Sequence, residues 1–355
     1  MTQSRIIAID GMGGDHAPDI VVQGVDIFAR AHGSYRFVIH GDEAKLKPLL
    51  AQTQAAAAQS EIRHAERAVA MDAKPTQAVR QGKGSSMWNA IEMVKSGEAS
   101  SAVSAGNTGA LMGMSKLILR TVPGVHRPAL VGTWPTRKGE SAVLDLGADI
   151  DADAEQMVEF AIMGASFARA AHHKPRPRVG LLNIGSEDLK GHEDIREAAR
   201  LIRELDLDFD FHGFVEGDDI GAGTVDVVVT DGFTGNVALK TAEGVARMIT
   251  GLLRESLTST LTAKIGAAIL MPALKGFRER LDPGRANGAV LLGLNGLVVK
   301  SHGGADAAGY AHAIAVAADM GESRFRSEIE QGVNQLLARK GEQKAQEGAS
   351  EEPAR

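Results

Sequence analysis

The chain has 355 residues, none of them Cys, with 41 Gly, 44% hydrophobic and 4% aromatic residues and a formal charge of -6. At roughly 150 residues per unit, that length suits about two domains or one large two-lobed domain, and the hydrophobic share is enough to bury a core. The absence of Cys excludes disulfides, thiolate nucleophiles, Cys-ligated zinc and iron–sulfur clusters, and the acidic balance argues against a basic face for nucleic acid.

The opening, MTQSRIIAIDGMGGD, lacks the basic segment and apolar run of a signal peptide. No stretch approaches ~20 uninterrupted apolar residues, so the expectation is a soluble cytoplasmic protein. Residues 6–9 predict a strand that leads through the Gly-rich turn DGMGGDHAPD into the helix IVVQGVDIFARA. This unit recurs along the chain. Residues 37–39 lead through HGDE into AKLKPLL, and 101–103 lead through SAGNTGA into LMGMSKLIL. A hairpin follows, with RPALVGTW and SAVLDLGA joined by PTRKGE. Residues 179–182 then lead through NIGSEDLKGHE into DIREAARLIREL, and 225–229 through TDGFTGN into VALKTAEGVARMITGLL. Residues 251–282 read as helical with a break at Pro272. The last unit runs from 297–299 through KSHGGADA into AGYAHAIAVAADM, and KGEQKAQEGASEEPAR, without large apolar side chains, reads as a disordered tail.

Strands alternating with helices predict an α/β fold, its mainly parallel but mixed sheet covered on both faces. Right-handed crossovers place the polar turns at one carboxyl edge, where such sheets bind ligands. The expected organisation is a single two-lobed catalytic domain over 1–330, a helical protrusion at about 251–285, and a helix end and tail over 331–355.

Several motifs are absent. Gly11-Met12-Gly13-Gly14-Asp15-His16 begins like G-x-G-x-x-G, but His16 stands at the third glycine. Gln81-Gly82-Lys83-Gly84-Ser85 echoes a P-loop, but its leading glycine would fall at Gln77. Neither G-x-S-x-G nor H-E-x-x-H occurs, His172-His173 reads as a solvated loop pair, and no cofactor or metal site is expected. What remains is a set of turns. Ser104-Ala105-Gly106-Asn107-Thr108-Gly109 is either an anion cradle at a helix start or a well-capped turn with Thr108 as N-cap. In Asp231-Gly232-Phe233-Thr234-Gly235-Asn236, Lys240 follows one turn on, either facing an anion or exposed on its helix. Lys190 and Gly191, with Glu187 as a pairing partner, make a similar case. His302 is a candidate acid, base or hydrogen-bond donor, or a structural residue.

Taken together, IAIDGMGGDHAP, KPTQAVR with SSM, SAGNTGALM, HRPAL, LLNIGSEDLKG, TDGFTGNVALKT, NGAVLLGLNG and VVKSHGGADA resemble the bacterial phosphate acyltransferase family over residues 6–320. The resemblance implies transfer of a fatty acyl group from acyl carrier protein to inorganic phosphate. It also implies a three-layer α/β/α fold similar to isocitrate and isopropylmalate dehydrogenases. A cytoplasmic, membrane-associated homodimer feeding a membrane glycerol-3-phosphate acyltransferase follows from it too. Asp149, Phe214 and Asp218 depart from the family pattern and are given no role.

Such a reaction needs no protein nucleophile, because phosphate is itself one; the protein must hold it beside the thioester and stabilise the oxyanion. On this reading Ser104, Gly106, Asn107, Thr108, Gly109, Asp231 and Gly235 bind phosphate, and Lys190 and Lys240 neutralise it. Asn236 meets the thioester oxygen, and His302 protonates the departing thiolate. Leu257, Leu261, Ile265 and Ile269 recur every four residues, with Leu270 and Met271 adjoining and Lys264, Lys275, Arg278, Arg280 and Arg285 supplying charge. Leu261 and Ile265 with these cations suit a membrane interface or an acidic carrier protein; a dimer-interface helix fits the pattern equally. Rival readings are an acyl-CoA-dependent phosphate acyltransferase, a decarboxylating dehydrogenase of the same fold class, and a non-catalytic acyl-carrier scaffold at the membrane.

Overall fold

The computed structural model describes residues 5–281 and 287–350, with side chains described over 5–271 and 287–339. In its first half, β1 (Ile6–Asp10), α1 (Asp19–Ala31), β2 (Arg36–Gly41), α2 (Glu43–Leu50), α3 (Ala55–Gln59) and β3 (Ser60–His64) precede α4 (Pro75–Gln81) and α5 (Ser86–Lys95). Next come β4 (Ser101–Ser104), α6 (Thr108–Leu119) and the hairpin β5 (Ala129–Thr136) and β6 (Gly139–Leu144). Then follow α7 (Ala154–His172), β7 (Arg178–Leu182), α8 (Glu193–Glu204), β8 (Asp210–Val215), α9 (Gly217–Ala222) and β9 (Val227–Val229). The chain closes with α10 (Gly232–Thr258), α11 (Leu261–Leu281), β10 (Ala289–Leu292), β11 (Leu297–Lys300), α12 (Ala307–Glu322) and α13 (Phe325–Ser350).

The described strands form one sheet in the order β3-β2-β1-β4-β11-β10-β5-β6-β9-β7-β8. The short central strands IIAID, SAVS and LVVK are almost wholly buried, as expected of parallel strands covered on both faces. Alternate residues feed two cores. Ile7, Ile9, Phe37, Val103 and Val299 pack with α1, α7, α8, α12 and α13 on one face. Ala8, Val38, Ala102, Val298, Leu130 and Val143 pack with α5 and α6 on the other. Between them α7 is buried along nearly its whole length, opened by a capping box from Asp153 and Gln156. The three-layer architecture is the expected one.

The single rim is not. β1, β2, β3, β4 and β11 run parallel, β10 opposes β11, and β5 opposes β10. The hairpin reverses direction once more, so β6, β9, β7 and β8 run against β1. The loops after β1, β2, β4 and β11 therefore leave one edge of the sheet, and those after β6, β7 and β9 leave the opposite edge. The hairpin that the sequence displays is what enforces two rims.

Three further expectations change. The helical break falls at Ser259–Thr260, where Ser259 Oγ bonds Ser256 O at 2.8 Å and Thr260 Oγ1 accepts Ala263 N–H at 3.1 Å; α11 then runs through position 272 unbroken. The tail continues as helix to Ser350, consistent with its Gln, Lys, Glu and Ala residues, which favour helix intrinsically. His172 ends α7 half-buried, its Nε2 3.0 Å from Thr133 Oγ1, rather than lying in a solvated loop.

Candidate active site

A row of polar residues crosses five parallel strands at the first rim. Registers place Arg63 beside His40, His40 beside Asp10, and Lys300 beside Ser104, while Asp10 and Ser104 are one step past the Ile9–Val103 pair. Asp10, His40, Ser104 and Lys300 stand on the α5 and α6 face, because each follows by two a residue that packs there, Ala8, Val38, Ala102 and Val298. Asp10 and Lys300 end apolar strands, so a charge is carried to the edge of the core with little room to leave it.

Asp10 is buried and accepts hydrogen bonds from Ser104 Oγ at 2.6 Å and Met12 N–H at 3.3 Å. Burial pushes its carboxyl above the usual range, opposed by those donors. Ser104 Oγ in turn accepts the Gly106 N–H at 3.0 Å. The β1–α1 loop lies directly on this turn: a Cβ on Gly13 would stand 2.4 Å from Asp10 Oδ2 and 2.7 Å from Gly106 N. The glycine that looked like part of a dinucleotide fingerprint thus serves loop-on-loop packing. Asp15 N–H to Gly303 O and Ser301 N–H to Ser104 O, both 2.9 Å, tie in the β11–α12 loop.

Lys300 closes β11 almost fully buried. Its Nζ donates to Ala105 O at 3.3 Å and to Ser301 O. Burial pulls its pKa down to about 8, Asp10 and Asp15 pull it back up, and the charge on Lys240 lowers it further. Beside it, buried Asn287 accepts His302 N–H at 2.7 Å and donates to Ser301 Oγ at 2.8 Å and Gly309 O at 2.7 Å. The exposed His302 ring accepts Gly304 N–H on Nδ1 at 3.1 Å, which puts the proton of its neutral form on Nε2.

The turn opening α6 is more committed than its sequence suggests. Asn107, not Thr108, is the N-cap: its Oδ1 accepts Ala110 N–H at 2.9 Å. Its Nδ2 donates to Met71 O at 2.6 Å and Ala73 O at 3.2 Å, so its side chain holds a neighbouring loop and is not directed to a ligand. Asparagine accepts on Oδ1 while its separate Nδ2 donates to two carbonyls, where threonine has one hydroxyl with a single proton. Thr108 is exposed, and Gly109 lies against the Pro75 ring, 2.5 Å from where a Cβ would sit.

The opposite rim holds Asp231, Gly235, Asn236 and Lys190. Asp231 caps α10, accepting Thr234 N–H at 2.8 Å and Thr234 Oγ1 at 2.7 Å. Gly232 and Gly235 lie against the 145–149 loop. There buried Asp145 accepts N–H bonds from Leu130, Ala148 and Asp149, and burial raises its pKa to about 6. Exposed Asn236 lies beside Gly147, and Lys190 pairs with Glu187 at 2.8 Å. Asp231, Gly235 and Lys190 therefore do not join Ser104 and Gly106 at one rim. The helix bridges the gap instead. Leu239 packs on the core of the α5 and α6 face, and Lys240 comes near enough for its charge to act on Lys300. Lys240 also pairs with Glu243 at 3.0 Å.

Beyond Lys240, α10 and α11 pack on each other, and α10 buries only Gly232 and Gly235 among its described residues. Leu261 is 77% exposed, and Lys264 and Ile265 are exposed as well. Lys275, Arg278 and Arg280 have side chains outside the described residues, as does the whole of Arg285. Among the described residues no group of three or more His, Asp or Glu is placed to hold a metal ion.

A family model described as "Fatty acid synthesis protein" matches residues 6–328. A phosphate acyltransferase of Caulobacter vibrioides is 59% identical over 338 residues, 95% of this chain and 94% of that protein. Another, of Parvibaculum lavamentivorans, is 54% identical over 337 residues, 95% of this chain and 93% of its own. The chain belongs to the phosphate acyltransferase family.

As a phosphate acyltransferase the chain is an enzyme of acyl transfer to phosphate. Its fold is shared with a phosphotransacetylase of Streptococcus pyogenes (TM-score 0.61, 17% identity, 90% of this chain and 95% of that one). One from Staphylococcus aureus is similar (TM-score 0.59, 16% identity, 90% and 96%). Sequence reading of this acyltransferase missed Asp10, Asn287, Lys300 and Asp145. The signal was present for two of them: IIAID and LVVK are apolar runs closed by a charge, and a charge there must lie at the edge of the sheet.

Proposed function

We propose that the enzyme transfers a long-chain fatty acyl group from acyl carrier protein to inorganic phosphate. In this reaction a phosphate oxygen attacks the thioester carbonyl, the C–O bond forms as the C–S bond breaks, and the proton lost by hydrogen phosphate ends on the carrier thiol. The observation that carries the reading is buried Lys300, its Nζ held at the Ala105 carbonyl in the loop that opens α6, with the charge of Lys240 acting on it. Two positive charges at a glycine-bordered loop suit a dianionic nucleophile. Phosphate is held at Thr108 and Gly109 with Lys240, and Asn236, one turn before Lys240 on α10, meets the thioester oxygen beside it. His302, as an imidazolium, gives its Nε2 proton to the leaving thiolate and is recharged by the proton of hydrogen phosphate.

The acyl phosphate would supply a membrane glycerol-3-phosphate acyltransferase and so phosphatidic acid. The exposed Leu261 and Ile265 with Lys264 support a peripheral membrane or carrier contact by the α10–α11 arm, and a cytoplasmic homodimer is the assembly proposed with it. In the test, purified protein is incubated with phosphate and palmitoyl acyl carrier protein, or palmitoyl-CoA, and acyl phosphate is followed by mass spectrometry. Preferential turnover of the carrier thioester is expected. Preference for the CoA thioester would select the acyl-CoA-dependent alternative, and no acyl phosphate from either donor would overturn the catalytic reading in favour of a scaffold.

A further inference from the structure

Lys300 is a buried ammonium in search of a counter-ion. Two of its three N–H donors go to the Ala105 and Ser301 carbonyls. No carboxylate among the described residues lies within ion-pair distance of it. The charged groups that face it are Asp10 from β1, Asp15 from the β1–α1 loop and Lys240 from α10. A buried charge held only by neutral carbonyls is costly unless something negative completes it, and the second lysine makes the deficit larger. The side chain is fixed against the loop entering α6 through Ala105, so its remaining N–H lies where the β4–α6 and β11–α12 loops meet.

We propose that Lys300 is the cation that holds inorganic phosphate for acyl transfer, and that Asp10 is a positioning residue acting on it through Ser104. The inference rests on the reading of the site as one for phosphate. Asp10 is fixed by Ser104 at 2.6 Å, and Ser104 is register-paired with Lys300. The carboxylate thus sits one strand beyond Ser104, near enough to keep the ammonium charged and too far to neutralise it by contact. Lys240, exposed and shared with Glu243, adds charge from the other wall of the cleft.

The test measures phosphate affinity by calorimetry without any thioester, and phosphate KM in turnover, across pH 7 to 9.5. Wild-type affinity is expected to weaken above pH about 8, where the Lys300 ammonium is lost. Lys300→Arg keeps its charge throughout this range and removes that weakening, which separates it from the ionisation of phosphate itself. Lys300→Met raises phosphate KM at least tenfold and leaves thioester KM within about twofold. Asp10→Asn moves the alkaline loss to lower pH, a displacement that a merely structural role would not produce.

Flat wild-type affinity to pH 9.5 overturns the inference, as does a folded Lys300→Met protein with wild-type phosphate KM. A flat wild-type curve overturns the inference even where Lys300→Met fails to fold, and Lys300→Arg, which keeps the charge, decides a curve that falls. Because calorimetry needs no acyl donor, phosphate binding with this pH dependence but no acyl phosphate formed would count against the proposed reaction and leave the Lys300 assignment standing.

Discussion

Ser104 donates a 2.6 Å hydrogen bond to Asp10 inside the sheet, joining the ends of two adjacent parallel strands from residues 94 apart in the chain. The same hydroxyl accepts the Gly106 N–H, so one oxygen serves a buried carboxylate and the second amide of the loop beyond β4. Ser104→Ala leaves the Gly106 N–H unpaired and takes from Asp10 its shortest hydrogen bond, with the Met12 N–H remaining, where water has little access. A cost of about 1–3 kcal/mol in global stability is expected, read from urea unfolding. A variant as stable as wild type would show that water replaces the hydroxyl.

The seat of α10 on the far rim is equally specific. A Cβ on Gly235 would stand 2.0 Å from Asp145 O, which is backbone and cannot swing away. Gly235→Ala therefore has to lift the start of the helix and displace Lys240 from the cleft. Acyl phosphate formation should fall at least tenfold, since a misplacement of about 1 Å in a positioned group costs on the order of 10² in rate. Gly244 on the same helix has nothing within 4 Å of its Cβ position. There Gly→Ala should be neutral or stabilising by up to about 1 kcal/mol. Equal activity in the two variants would refute the argument.

Asp145 gives a pH signature. Its carboxyl is buried and its pKa is raised to about 6 in the folded protein, so the folded state keeps a proton that the unfolded state has already released. Between about pH 4 and 6 the folded state binds more protons, and this group's contribution to stability falls as pH rises through that window, then levels. Asp145→Asn cannot titrate, and its amide N–H₂ would face the Asp149 N–H that Oδ2 now accepts at 2.7 Å. The variant should be less stable than wild type near pH 4, by a margin that narrows by about 2–3 kcal/mol toward pH 7. Thermal melts across this range would show it; a pH-independent margin would contradict it.

Much of the fold was legible because the signals are local. Apolar runs ending in Gly-rich turns gave the strand–turn–helix units, and PTRKGE between two apolar stretches gave the hairpin. The direction of each half of the sheet was not read, although the hairpin implies it: direction is a property of strand pairing, and β10 (from Ala289) reaches its neighbours from far beyond the end of β6 at Leu144. The loops at Ser104–Gly109 and 231–236 were found, but Asn107 and Asp231 proved to be caps. A side chain that caps a helix and one that binds an anion look alike in sequence, since both want short polar residues beside glycine. Lys300 was passed over because its importance comes from what surrounds it, Ala105, Asp10 and Lys240, none of which is near it in the chain.

The α10–α11 arm carries the last prediction. Leu261 is 77% exposed and Ile265 56%, beside Ile269 at 75% and Leu270 at 53%, a display too apolar for a helix that meets only water. No helix among the described residues is long and apolar enough to cross a membrane, so any lipid contact through it would be interfacial, with one face of the helix at the headgroup boundary. Replacing both Leu261 and Ile265 with Glu should abolish flotation with anionic liposomes if the stripe meets lipid, whereas a selective rise in carrier-thioester KM without loss of flotation assigns it to the carrier protein. Light scattering on the same samples separates the dimer-face alternative. A variant that becomes monomeric assigns the stripe to the partner protomer, and one that stays dimeric and still floats shows that neither surface depends on it.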